Sequence, residues 1–199
     1  MAKKAAPRRK ATGAAAVTTT EPRVPEVLAP QKVHELFALP GPYDPLAPPV
    51  ATKGFTPWWD CGLSINELRR KRKELFGPSD WLDGQRFAKD SVSWTWRLLS
   101  LTPVGPGETF EEQARAIGRG SEPPTARELV TYLVLHVLAT GERLEIPRLR
   151  CKDVLPSGRR VCVGPFRDDG LEIANVSDRW TSPGIALCAS VTPPVPRRT

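Results

Sequence analysis

Residue patterns that carry chemistry are scarce in this chain, and each absence narrows its function. The four cysteines, Cys61, Cys151, Cys162 and Cys188, form no C-x-x-C and no dense framework. That excludes a disulfide-stapled secreted scaffold and a zinc finger, and it fits free thiols in a reducing cytoplasm. Cys151 and Cys162 flank an expected turn, so a disulfide or two-thiol metal half-site across a hairpin is the alternative. Free cysteine is nevertheless a common small hydrophobe of strands. No G-x-G-x-x-G or Walker pattern occurs, and no cofactor or metal is expected. No apolar run reaches the roughly 18 to 20 residues of a membrane span. The start has charges but no apolar h-region, so a soluble, unsecreted, cytoplasmic protein is the expectation.

What the chain does have is charge at its ends. Residues 1 to 32 carry Lys3, Lys4, Arg8, Arg9, Lys10, Arg23 and Lys32 against Glu21 and Glu26, and Arg197 and Arg198 stand near the other end. Without those nine bases and two acids, the 29 Lys and Arg and 22 Asp and Glu fall to 20 of each. The net charge of +7 therefore describes the tails and says little about what the body binds. The 22 prolines also gather toward the ends. Abundant Arg, Ala and Pro with little Asn or Ile is the bias of a GC-rich genome, so part of the Arg signal is codon usage.

Residues 1–30 contain almost no aromatic or branched apolar side chains to offset the entropy of ordering, and read as a disordered basic arm. Residues 31–53 read as a Pro-rich linker that opens with a helical turn or two around Val33, Leu36 and Phe37. One compact domain is expected over 54–192, with a disordered basic tip at 193–199. Ser64-x-x-Glu67 opens a helix expected to reach Gly77-Pro78, with Ile65, Leu68, Arg72, Leu75 and Phe76 inward. Thr109-x-x-Glu112 opens a short helix, and Thr125-x-x-Glu128 opens a longer one that Gly141 ends. From 129 to 140 there is no charge, which predicts a buried central helix. The run 94–99 predicts a strand, and 149–155, 160–166, 171–176 and 185–190 predict four more, turned by Pro156-Ser157-Gly158 and Asp168-Asp169-Gly170. The expected class is α+β, two or three helices packed on an antiparallel, mostly C-terminal β-meander.

The segments WRLLSLTPVGPGETFEEQ, ELVTYLVLHVLATGERL and RRVCVGPFRDDGLEIANV resemble a family of bacterial proteins without a known activity. The resemblance spans about 93–189 and lies in Glu112-Gln113, Thr140-Gly141-Glu142-Arg143 and the pair Val163-Gly164-x-Phe166 to Gly170-Leu171. It implies a shared fold and transfers no site.

Several constellations are candidates for function. The arm residues Lys3, Lys4, Arg8, Arg9 and Lys10 suit non-specific contact with nucleic-acid phosphates or another polyanion, without aromatic side chains to stack on bases. Arg69-Arg70-Lys71-Arg72-Lys73 is the strongest basic run of the body; it reads either as a phosphate clamp or as a solvated helix face, with Glu67 and Lys71 paired one turn apart. Phe55, Trp58 and Trp59 form either a partner interface or a staple for the linker. His136, with Tyr132 one turn before it, is the candidate acid–base pair, although no nucleophile elbow accompanies it and His34 is the one other histidine. Asp168, Asp169 and Glu172 lack calcium-loop spacing and read as turn chemistry.

The expected function is a non-enzymatic interaction or accessory module whose arm contacts a polyanion or which captures a protein partner. The alternatives are a small enzyme with a cleft near Tyr132 and His136, and a structural subunit of a larger assembly.

Overall fold

The chain enters the fold through an eight-residue helix, α1 (Pro30–Phe37), whose apolar residues fall one turn apart. Val33 and Phe37 are buried in the same core cluster as the body, so the core reaches upstream of residue 54 into the expected linker. The computed structural model describes residues 30–40, 48–50, 53–92 and 94–193. The rest of the Pro-rich stretch, the basic tip and the arm, with Lys3, Lys4, Arg8, Arg9 and Lys10, lie outside the described residues.

The strand β1 (Thr56–Asp60) follows, over Thr-Pro-Trp-Trp-Asp, where no strand was expected. As an edge strand it tolerates Pro57. Helix α2 (Ile65–Lys71) begins at its capping box: the Ser64 hydroxyl accepts the Glu67 amide, and the Glu67 carboxylate accepts the Ser64 amide. It ends earlier than its sequence suggests. Arg72 caps it, Lys73–Leu75 make a 3-10 turn, and Phe76 leaves to bridge Leu171 of the sheet. Five adjacent cations repel one another along a helix, and burial of Leu75 and Phe76 draws the chain away from its axis.

Strand β2 (Thr95–Val104) pairs antiparallel with β1, placing Trp59 opposite Trp96 with ring centroids 5.3 Å apart. Helices α3 (Phe110–Ala116) and α4 (Ala126–Thr140) start at the other two capping boxes. Gly141 ends α4 in the left-handed region, and its amide donates to Val137 O at 2.8 Å. β3 (Arg148–Val154), β4 (Arg160–Arg167) and β5 (Gly170–Val176) then form consecutive antiparallel hairpins. The last strand, β6 (Ile185–Val191), departs from a meander: the sheet order is β1-β2-β6-β3-β4-β5, with β6 parallel to β3. Six consecutive buried residues suit it to the centre of the sheet, not to its edge.

The protein is α+β, with four α-helices and a six-stranded, mostly antiparallel sheet among the described residues. Helix α4 packs against β1, β3, β4 and α2. Its Leu129, Val130, Leu133 and Val134 meet Leu149, Cys151, Val161, Val163, Ala186 and Cys188 in the main core. Cys162, Val176 and Ile185 form a second, smaller cluster. Cys162 stands opposite Arg150 in the register, so Cys151 and Cys162 belong to different clusters, and all four thiols are free and buried. No helix among the described residues is long and apolar enough to cross a membrane.

Candidate functional site

The acid–base candidates lie inside the packing. Tyr132 is buried against Trp58, ring centroids 6.0 Å apart, and hydrogen-bonds Thr56; burial pushes its phenol up to about 12. His136 is buried one turn later, with neither ring nitrogen hydrogen-bonded, and burial holds its pKa below the ordinary value against the opposing charge of Glu142. Neither residue lines either of the two clefts described below. Trp58 and Trp59 are buried as well, so of the proposed aromatic interface only Phe55 is half exposed. Asp168 and Asp169 are the two-residue turn between β4 and β5, while Glu172 accepts from Arg148 and Arg167. Among the described residues no group of three or more His, Cys, Asp or Glu is placed to hold a metal ion.

Two buried arginine networks escaped the sequence reading. Arg127 on α4 grips Asp60 at the end of β1 through two hydrogen bonds of 2.7 and 2.5 Å, and Arg97 on β2 stands 3.6 Å from Asp60 and 3.4 Å from Glu128. Arg150 on β3 is fully buried without a carboxylate bonded to it. It donates to Glu108 O at 2.9 Å, to Gln113 Oε1 at 2.8 Å, and to the carbonyls of Ser177 and Trp180. Gln113 in turn donates to Gly105 O and Ile185 O. Every bond of Arg150 ties a loop or helix α3 to the sheet, which is a structural duty. In the sequence Gln113 stands out only as part of the Glu112-Gln113 pair, and nothing local to that short helix points to a partner on β3.

The basic run of α2 is divided between two duties. Lys71 donates to Phe37 O at 2.8 Å and Arg72 to Leu36 O, so these two hold the end of α1. Arg69, Arg70 and Lys73 instead line a cleft of about 1150 Å³ between α2, the loop 77–83 and the β4–β5 turn. That turn approaches closely because Gly170, at φ +123°, has no Cβ to strike the backbone of Phe76 and Gly77. Lys89 also lines the cleft, as do Glu67, Asp80, Asp83 and Asp169. Arg69 is committed to Asp83 at 2.6 Å and to Asp80 at 3.9 Å. Glu67 serves the cap: its hydrogen bonds from Ser64 hold its carboxyl below the usual range and therefore ionised. Arg70, Lys73 and Lys89 are exposed, and their side chains make no salt bridge or hydrogen bond with the described residues. A second cleft of about 490 Å³, between the loop 84–90 and the end of β3, offers Arg86 against Asp90 and Asp153.

No protein-family model matches the chain, and no curated protein or solved structure matches it.

Proposed function

We propose that the protein is a non-enzymatic interaction module that docks on an anionic polymer, nucleic acid or another polyanion, through Arg70, Lys73 and Lys89 together with the basic arm. The observation that carries this reading is the contrast between the cleft and the core. Three cations whose side chains make no hydrogen bond or salt bridge with the described residues line an open cleft of about 1150 Å³, while Tyr132, His136 and the four thiols are packed away from solvent. Acids on the same wall make the cleft a poor trap for a small anion, because its four bases meet four acids. An extended polymer can contact the exposed bases and the arm at once, and linked weak contacts gain from effective concentration. Four free buried thiols fit work in a reducing compartment such as a bacterial cytoplasm.

The test is an anisotropy titration with labelled duplex DNA and single-stranded RNA at low and moderate salt. The wild-type chain should bind with a steep salt dependence. Replacing Arg70, Lys73 and Lys89 by Gln should lower the logarithmic salt slope by up to about 0.9 for each phosphate no longer neutralised. Replacing the five arm bases should lower it further. Retention of full affinity by both variants would sink the proposal and leave capture of a protein partner as the reading to pursue.

A further inference from the structure

The end of α1 is completed by residues that the polyanion surface would otherwise own. A helix leaves its last four carbonyls without intrahelical partners. Here Leu39 N donates to His34 O at 2.9 Å and Ala38 N to Glu35 O at 3.2 Å, with Ala38 in the left-handed region at φ +49°. This double bond pattern closes many helices and serves two of the four carbonyls. The other two, Leu36 O and Phe37 O, are the ones taken by Arg72 and Lys71. The negative end of the α1 dipole therefore rests on two of the five cations of α2 and lowers their attraction for a second anion.

We propose that α1 is an intramolecular competitor for the polyanion: docked, it commits Lys71 and Arg72 to its own end, and undocking returns both to the surface that binds. The proposal rests on the polyanion reading above and adds its regulation. Three features keep the docked state from being locked. Ala38 occupies a conformation that favours glycine, Arg72 Nε is buried without a partner, and the Lys71 side chain emerges at an exposed position. What holds α1 down is the burial of Val33, His34 and Phe37, with the Arg72 guanidinium 6.0 Å from the Phe37 ring. Linkage then requires reciprocity: a polyanion that uses Lys71 and Arg72 must weaken α1 docking by the factor by which docking weakens the polyanion.

The experiment is a salt-dependent duplex-DNA titration of four full-length chains: wild type, Phe37→Ala, Lys71→Gln/Arg72→Gln, and the combination. Undocking by Phe37→Ala should let two more phosphates be neutralised. That steepens the logarithmic salt slope by about 1.8, so the drop in affinity between about 50 and 200 mM salt grows roughly tenfold. Lys71→Gln/Arg72→Gln should leave the wild-type slope almost unchanged and abolish the gain made by Phe37→Ala. Hydrogen exchange on the wild-type chain needs no variant to fold: saturating duplex DNA should speed exchange at the Ala38 and Leu39 amides. Equal slopes for wild type and Phe37→Ala, or unchanged exchange at those amides, overturn the competitor. If wild-type binding falls on loss of Arg70, Lys73 and Lys89 while these readouts stay flat, only the regulation fails. A wild-type chain that binds no duplex DNA overturns both.

Discussion

Asp60 commits the fold to a partner 67 residues away. Its carboxylate is fully buried, and burying a charge costs several kcal/mol unless a counter-charge meets it with good geometry. Arg127 supplies that geometry, while the Gly62 amide, 2.9 Å away, uses another acceptor site. Arg127→Met should therefore destabilise the protein by about 3 kcal/mol, the low end of the range for a broken buried pair, because Arg97 remains nearby. The double variant Asp60→Asn/Arg127→Met should recover much of the loss in urea unfolding; additive losses would show that the pair does not act as a unit. Nothing local announces this bridge, since Asp60 follows Trp-Trp in a segment that reads as an aromatic edge. His136 is a second buried commitment. Its folded pKa lies below the ordinary 6.5, chiefly through burial, so the unfolded chain binds the proton more readily. Its contribution to stability is complete above that value and is lost as pH falls through 6.5 toward the folded pKa. The buried His34, also shifted down, works in the same direction. The wild-type urea midpoint should fall between pH 7.5 and 5.5, and His136→Leu should fall less over the same interval.

At the scale of elements, local chemistry was legible and non-local pairing was not. All three Ser/Thr-x-x-Glu boxes form reciprocal caps, because donor and acceptor lie within one turn and no distant residue needs to agree. The hairpins around Pro156-Ser157-Gly158 and Asp168-Asp169 were legible for the same reason. β1 was missed because Pro57 argues against a strand until β2, some forty residues on, is known to lie on its one paired side. The position of β6 depends on β2 and β3 together, and its buried Ile-Ala-Leu-Cys-Ala-Ser run was the available hint of a central place. The basic run of α2 was visible, but its division between α1 and the cleft requires the helix to end at Lys71. Among the caps, that of α4 should matter most to the whole, as this helix touches three strands and α2. Thr125→Ala should cost about 1 kcal/mol in urea unfolding and Thr125→Ser almost nothing. Equal losses would shift the role of Thr125 from capping to packing of its methyl group.

For the molecule as a whole, the thiols report whether the two sides of the sheet unfold together. Cys61, Cys151 and Cys188 belong to the main core, whereas Cys162 belongs to the small cluster with Val176 and Ile185. Burial raises all four pKa values, to about 12 for Cys61 and Cys162, so the folded protein presents almost no thiolate to a reagent. Reaction then requires opening, and its rate at each cysteine follows the free energy of the opening that exposes it. The Arg150–Gln113 network spans the side of Cys162, and Arg150 lies on the strand that also carries Cys151 into the main core. That shared strand argues for one cooperative unit. Mass spectrometry of thiol labelling across a urea series should find the four sites reacting with one midpoint, coincident with the loss of near-ultraviolet dichroism. Arg150→Met strips partners from three carbonyls and from Gln113 Oε1 at once, so it should uncouple the smaller cluster and let Cys162 react at lower urea than the other three. If Cys162 already reacts first in the wild-type chain, the loops that Arg150 ties down form a separate, weaker unit, and the buried guanidinium does not join the two sides.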